Sequence, residues 1–204
     1  MAVTSEPAPR LTARIWTTLA GLGPKRGVHA LVLLVLAATA LFGGLDQVDP
    51  SVTDVDPGEA YDDGALTVTV KRASLVPAVM AGKRVLIHPK AGFQYLAVVA
   101  AVANDGTQPV GLDDELDLHG VADATRIAVF RLADGTQTAS LGPGLADDMG
   151  FVWQVPVTAL HSGDTVTVRI WKKQYTELSV AQGRAWLDSL TDYGQVEIPL
   201  GVRP

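Results

Sequence analysis

The sequence of 204 residues contains no cysteine. The protein therefore cannot form a disulfide, hold a metal ion through thiolates or use a cysteine nucleophile, and it cannot carry a lipid on a processed cysteine. The lack of cysteine does not identify the compartment, because an exported domain of this size can be stabilised by its hydrophobic core alone.

Catalytic motifs are absent as well. The sequence has no H-E-x-x-H pair, no G-x-S-x-G elbow, no phosphate-binding loop and no dinucleotide-binding glycine pattern. Its four histidines, His29, His88, His119 and His161, are far apart and are expected at the surface or in turns. A Ser-His-Asp group that assembles only in space stays open as an alternative. We predict a protein that is not an enzyme and needs no cofactor.

Positive charge is scarce in most of the chain. Residues 1–45 hold four Arg and Lys against one Glu, a net charge of +3, whereas residues 46–204 hold 12 basic against 21 acidic residues, a net charge of −9. An acidic surface is a poor ligand for the phosphate backbone, so nucleic acid is excluded as a partner.

One long apolar run is present, from Gly27 to Leu45, and it contains no charged residue. Nineteen helical residues at about 1.5 Å each cover roughly the 30 Å core of a bilayer, which predicts a transmembrane helix. The basic residues before the run place the N-terminus in the cytoplasm and the rest of the chain outside the plasma membrane. A signal peptide cleaved after Ala40 is the alternative, but the continuation of the run through residues 41–42 favours a retained anchor.

The segments beside this run differ in character. Residues 1–26 read as a basic cytoplasmic tail, in which residues 10–22 show the apolar period of an amphipathic helix at a membrane surface. Residues 46–64 hold seven acidic residues among prolines and glycines, a composition that predicts an extended linker. Residues 65–204 are long enough for one extracytoplasmic domain.

From Ala65 onward the apolar residues recur with a period of two, the period of a β-strand. Residues 95–103 are apolar throughout, so we expect a central strand buried on both faces. The Asn-Asp-Gly at residues 104–106 predicts a tight turn that returns the chain towards residues 109–112. Residues 176–190 are compatible with a short helix or an irregular loop. Short strands and frequent turns predict an all-β protein, an antiparallel β-sandwich of about seven to nine strands.

The order of four segments resembles a known family. These segments are ALTVTVKRASLV, GFQYLAVVAAVANDGTQPV, SLGPGLADDMGFVWQVP and GDTVTVRIWKK. They are similar to the anchored extracellular domains of Gram-positive bacteria grouped as domain-of-unknown-function 4352, over about residues 60–175. The resemblance implies a telokin-like, immunoglobulin-like sandwich, but it implies no activity and no ligand. The basic tail and the missing lipidated cysteine depart from the family, and the composition suggests a high-GC actinobacterial source.

A dense group of carboxylates is the first candidate site. Asp113, Asp114, Glu115 and Asp117 follow one another between two predicted strands. A Ca²⁺ ion takes six to eight oxygen ligands from a flexible loop, so these side chains are candidate calcium ligands. A solvated acidic loop is the alternative.

Tryptophan and arginine form the second candidate site. Trp171 and Arg169 share the face of a predicted strand opposite Val168 and Ile170, and Trp153 lies in another strand. Exposed Trp and Arg are common anchors of protein interfaces, although a covering segment would bury the same rings. We therefore predict a protein-interaction or accessory-subunit module of the bacterial cell envelope with an envelope or membrane protein as partner. The alternative is a sensor of a small ligand or Ca²⁺.

Overall fold

The computed structural model describes residues 28–29, 51–177 and 183–201. Within these residues the chain forms thirteen β-strands. The strands are β1 Val52–Asp54, β2 Ala60–Asp62, β3 Thr67–Val76, β4 Val79–Ala81, β5 Arg84–Ile87, β6 Phe93–Ala103, β7 Val110–Gly111, β8 Asp117–His119, β9 Thr125–Arg131, β10 Ser140–Leu141, β11 Ala146–Pro156, β12 Thr165–Glu177 and β13 Arg184–Pro199. The number exceeds the predicted seven to nine because several strands have only two to four residues.

Two sheets form the sandwich. One has five antiparallel strands in the order β2-β3-β6-β11-β9, and the other has four strands in the order β1-β13-β12-β8. In the second sheet, β1 runs parallel to β13, whereas β12 is antiparallel to both of its neighbours. The short strands β7 and β10 pair with each other, as do β4 and β5. The prediction of an all-β sandwich is confirmed.

The alternating residues of the long strands build the core between the sheets. Val68 and Val70 of β3 and Val166, Val168 and Ile170 of β12 are each at most 1% exposed, as their period of two predicts. Fully burying a Val or Ile side chain stabilises the fold by about 1.5–3 kcal/mol before entropy is counted. The residues between them on the same strands face solvent or loops.

Strand β6 occupies the centre of the five-stranded sheet, and both of its faces are covered, as predicted. Leu96 and Val98 lie in the core between the sheets. On the opposite face Tyr95 packs in a second cluster with Phe130 and Val152, against residues of the β4–β5 ribbon. The ribbon thus covers part of the sheet surface that would otherwise face solvent.

The prediction of an acidic linker over residues 46–64 is wrong for the part that the structure describes, which begins at residue 51. Strand β1 pairs with β13 and β2 pairs with β3, so this part belongs to the sandwich. Asp63 is fully buried, and its Oδ1 accepts hydrogen bonds of 2.6 Å from the backbone N–H groups of Ala65 and Leu66. This acidic residue stabilises a turn rather than extending a solvated chain.

The turn predicted after β6 has a different form. β6 pairs with β3 and β11, whereas β7 pairs with β10, so the chain does not double back as a hairpin. Asn104 is fully buried, and its Nδ2 donates to the carbonyl oxygens of Gln108 and Leu141, both at 2.9 Å. The asparagine therefore fixes a crossing loop through its side chain instead of adopting the positive φ of a tight turn.

Residues 176–190 are neither a helix nor an irregular loop where they are described. Residues up to Glu177 continue β12, and residues from Arg184 begin β13, with Tyr175 opposite Trp186. The two strands form an antiparallel arm, and residues 178–182 lie outside the description.

Most of the N-terminal predictions concern residues outside the described part. The tail with its helix at 10–22, the cleavage point after Ala40 and nearly all of the 27–45 span belong to this region. Val28 and His29 of the span are described, in helical conformation. Among the described residues, no helix has the length and apolar character needed to cross a bilayer.

Candidate functional site

A cleft of about 460 Å³ opens at one side of the sandwich, where β8 and β9 are the edge strands of the two sheets. Strands from both sheets and the loops around β8 contribute to its wall. Its lining residues are Asp113, Asp114, Leu116, Asp117, Leu118, Val121, Ala124, Arg126, Trp153, Trp171 and Asp188. The volume lies within the range of small-molecule and side-chain binding pockets.

The cleft brings together residues from both candidate sites of the sequence. Asp113, Asp114 and Asp117 line it from one side, and Trp153 and Trp171 from β11 and β12. Arg169 is adjacent, because its Nε donates to Asp117 Oδ2 at 2.9 Å. Acidic and aromatic groups that the sequence separates by dozens of residues therefore line the same cleft.

Arg169 connects the acidic residues to the aromatic ones. Its guanidinium lies 5.1 Å from the ring centroid of Trp171 and 5.4 Å from that of Tyr193, within the distance of cation–π contact. The two rings are themselves 4.9 Å apart. Because Arg169 is bound on both sides, it holds Asp117 and Trp171 in fixed positions at the cleft.

Trp153 is only 4% exposed, which corrects the expectation that its ring is an interface anchor. The ring faces the core and contributes its edge to the cleft. Trp171 is half-buried, so it is the tryptophan of the cleft that a partner can reach.

Arg126 lines the cleft, and sequence reasoning missed it. Its guanidinium stacks on Trp153, 4.6 Å from the ring centroid, and donates to the carbonyl oxygens of Leu112, at 3.0 Å, and Leu116. These bonds fix both ends of the loop that carries Asp113 and Asp114. Its role could not be predicted from its position at the start of β9, because the sequence does not reveal which loop lies beside that strand.

The electrostatics of the cleft favour a cation. Burial lowers the pKa of Arg126 below its ordinary value, and the carboxylates of Asp114 and Asp113 oppose this shift. The cleft and its margin carry four carboxylates, those of Asp113, Asp114, Asp117 and Asp188. They face three cations, which are the guanidiniums of Arg126 and Arg169 and the ammonium of Lys173, 3.7 Å from Asp188 Oδ1. The local excess is negative.

Glu115 does not join its acidic neighbours. It is fully buried, and Lys173 Nζ donates to its Oε2 at 2.8 Å and to Asp63 Oδ2 at 3.0 Å. Burial raises the pKa of Glu115 to about 8, with the Lys173 ammonium acting in the opposite direction. Burial also lowers the pKa of Lys173, but Glu115 and Asp63 outweigh it and leave this pKa above its ordinary value.

The structure therefore disperses the predicted calcium ligands. Glu115 faces Lys173, Asp117 binds Arg169, and Asp113 and Asp114 remain at the cleft. Among the described residues no three or more side chains of His, Asp or Glu are grouped so that they could hold a metal ion. The calcium prediction for Asp113, Asp114, Glu115 and Asp117 has no geometry to support it.

Sequence reasoning also missed Lys173 as a buried residue. On the period of two that runs through Val166, Val168 and Ile170, residue 173 belongs to the outer face. An irregularity in the β12–β13 pairing between Trp171 and Lys173 reverses the alternation and turns Lys173 inward. No local pattern in the sequence predicts that irregularity.

Comparison with known proteins supports the fold. No protein-family model matches the chain, and no curated protein matches it significantly. Among solved structures, an uncharacterised β-sandwich protein from Clostridium difficile 630 is similar, with a TM-score of 0.52, 13% identity, and coverage of 74% of this chain and 97% of that one. A candidate lipoprotein from Bacillus subtilis is more distant, with a TM-score of 0.37, 14% identity, and coverage of 63% of this chain and 38% of its own. At 13% identity, the likeness to the Clostridium difficile protein concerns the fold alone.

Proposed function

We propose that this chain is a non-enzymatic binding module of the bacterial cell envelope, and that the cleft receives a basic group of a protein partner. The observation that supports this function most directly is the convergence of Asp113, Asp114, Asp117 and Trp171 on one accessible cleft. The acidic loop and the aromatic strand residue, which lie far apart in the sequence, meet at this cleft.

The chemistry of the cleft suits a lysine or arginine side chain. Carboxylates attract the charged group and steer its approach, and the face of an indole ring adds a cation–π contact. Asp113 and Asp114 have no ion-pair partner among the described residues, so they remain available. In the same part of the chain no serine or histidine lines the cleft, which favours binding over hydrolysis.

The cellular setting is part of the proposal and rests on the sequence. The apolar run 27–45, preceded by basic residues, supports a single-pass anchor in the plasma membrane with the sandwich outside. The four segments that resemble domain-of-unknown-function 4352 support an immunoglobulin-like member of that group. Immunoglobulin-like sandwiches often carry binding sites, so this part of the proposal rests on fold analogy.

Photocrosslinking in intact membranes tests the proposal. A benzoylphenylalanine introduced in place of Val121, a partly exposed residue of the cleft lining, in the full-length chain should yield one crosslinked protein in near-stoichiometric amount, identified by mass spectrometry. The same probe at Val157, which is exposed outside the cleft lining, should not yield it. Recovery of the uncrosslinked chain alone would contradict the proposal.

A charge reversal separates the cleft from the rest of the acidic surface. Asp113→Lys combined with Asp114→Lys should abolish the crosslink, because it replaces two attractive charges with two repulsive ones. Asp54→Lys combined with Asp105→Lys is the control, since it makes the same change in net charge at two exposed residues outside the cleft. Equal losses in both variants would show that only the overall charge matters.

A small organic cation is the second candidate, and the volume of about 460 Å³, which is large enough for such a ligand, favours it. In that case a diamine such as cadaverine should raise the melting temperature of the full-length chain, and Trp171→Ala should remove the rise. A crosslinked protein decides between the two candidates, because the protein-partner proposal requires it and a free organic cation does not.

A further inference from the structure

A second cavity lies on the outer face of the five-stranded sheet, apart from the cleft. It is a groove of about 530 Å³, and most of its lining is apolar. Its floor includes Ala97 and Val99 of β6 and Val152 of β11, and the β4–β5 ribbon forms one wall with Val79 and Leu86.

Specific packing holds the ribbon over the sheet. Arg84 of β5 donates to the carbonyl oxygens of Asp134, at 3.4 Å, and Gly135, at 3.3 Å, in the turn that follows β9. Gly135 has a φ of 69°, and a Cβ built on it would overlap the Cβ of Ala81 in β4. The ribbon is therefore held in a defined position over the sheet, because it packs against a point of the turn where only a glycine fits.

The floor of the groove offers no backbone hydrogen bonds to a ligand. Strands β6 and β11, which carry the floor residues Ala97, Val99 and Val152, pair on both sides, so their N–H and C=O groups are already used within the sheet. A peptide laid across this floor would bury its own amide groups without partners, at a cost in free energy. A hydrocarbon chain has no such groups, so the lining suits an acyl chain better than a polypeptide.

One cation of the groove remains unpaired. Arg72 lines it, is exposed, and has no ion pair or hydrogen bond among the described residues. The other arginine of the lining, Arg131, is engaged, because its Nε lies 2.8 Å from Asp147 Oδ2. A guanidinium free in this way binds a carboxylate through charge-assisted hydrogen bonds.

We propose that the groove binds an amphiphile with a single apolar chain and a carboxylate head, as in a fatty acid. The chain lies between the ribbon and the sheet, against Ala97 and Val99, and the carboxylate pairs with Arg72. This site is independent of the proposed partner cleft, since the two share no lining residue.

Photoaffinity labelling of the full-length chain in membranes tests this inference. The probe is a palmitic acid with a diazirine in its chain, and the labelled residues are mapped by mass spectrometry. Adducts are expected on residues of the groove, above all on Met80, Val99 and Leu132. Adducts distributed only over other surfaces would overturn the proposal.

Two pairs of variants sharpen the test. Arg72→Glu should lower labelling by about tenfold, which is the loss of affinity expected when one charge-assisted hydrogen bond is removed. Lys83→Glu makes an equal change in charge at the turn of the ribbon and should leave labelling unchanged. Ala97→Phe should block the groove, whereas Ala101→Phe places the same ring on the same strand outside the lining. If Ala97→Phe fails to fold, the Arg72 pair still decides the outcome.

The head group is tested with the corresponding diazirine fatty alcohol. Its labelling should be equal in the wild-type chain and in Arg72→Glu, because the alcohol carries no charge for Arg72 to bind. A loss of alcohol labelling as large as the loss of acid labelling, or no loss of either, would overturn the assignment of Arg72 as the carboxylate partner.

Discussion

Lys173 and Glu115 are joined by a buried hydrogen bond, in which Nζ of the lysine donates to Oε2 of the glutamate at 2.8 Å. The same ammonium binds Asp63, so one positive charge faces two carboxyl groups inside the domain. The residues come from the β2–β3 turn, the loop before β8 and strand β12, three segments that are far apart in sequence. Their interaction fastens the turn and the loop, the latter bearing Asp113 and Asp114 of the cleft, to the four-stranded sheet.

Glu115 makes stability depend on pH. Its pKa rises from 4.5 to about 8 on folding because of burial, so between these values the folded state binds more protons than the unfolded state. The contribution of the protonated Glu115 to the free energy of unfolding is therefore complete below about pH 4.5. It is lost as the pH rises to about 8, and the free energy of unfolding falls by up to about 1.4 kcal/mol per pH unit. Chemical denaturation at a series of pH values measures this slope.

The matched variant for this prediction is Glu115→Gln, which keeps the shape but cannot titrate. The difference in unfolding free energy between wild type and variant should change with pH across this window, since other titrating groups cancel. A difference that stays constant from pH 5 to pH 8 would contradict the raised pKa of Glu115.

Removal of Lys173 should lower the free energy of unfolding far more than removal of its exposed partner Asp188. Lys173→Met leaves two buried carboxyl groups without their cation, and we expect a loss of about 3–5 kcal/mol in unfolding free energy. Asp188→Asn is the control, because Asp188 Oδ1 is 3.7 Å from Lys173 Nζ and its side chain is 41% exposed. This control should lose at most about 1 kcal/mol. Comparable losses in urea titrations would show that the buried carboxyls do not depend on Lys173.

The sequence predicted the layers of the fold well because hydrophobic alternation is a local property. Val166, Val168 and Ile170 point inward as their spacing requires, and residues 95–103 occupy the centre of a sheet as their apolar run requires. Burial of these residues needs no knowledge of which strands are neighbours.

The candidate site was predictable only in part because it depends on strand order. The approach of Trp171 to Asp113 requires that β8 lie next to β12, and the position of Arg126 requires that β9 lie next to β11. Lys173 was missed because a single irregularity in pairing reverses the side chain's direction. The acidic run around Asp63 was misread because charge density alone does not distinguish a solvated linker from turns capped by carboxylates.

Asn104 is a buried polar residue whose loss should be costly. Asn104→Ala removes both bonds that Nδ2 donates, to Gln108 and Leu141, and the hydrogen bond of 3.0 Å that Oδ1 accepts from Gly106 N–H. Because the carbonyl oxygen of Leu141 loses a buried donor, we expect a destabilisation of about 2–3 kcal/mol. Asn104→Asp should be at least as damaging, since its carboxylate would face two carbonyl oxygens. If equilibrium unfolding of Asn104→Asp matched that of the wild type, the assigned orientation of the amide would be wrong.

Gly135 and Gly144 separate the effect of close packing from that of backbone conformation. Both have positive φ, 69° and 70°, so an alanine at either position is strained by about 1 kcal/mol. Only at Gly135 does the added Cβ meet other atoms, those of Ala81 and Leu86 in the ribbon, whereas Gly144 has open space around it. Gly135→Ala should therefore destabilise the full-length chain more than Gly144→Ala, by about 1–3 kcal/mol, the usual cost of overpacking. Amide hydrogen exchange in β4 and β5 should accelerate in Gly135→Ala and remain unchanged in Gly144→Ala. Equal stability losses, with no change of exchange in the ribbon, would show that Gly135 does not hold the ribbon over the sheet.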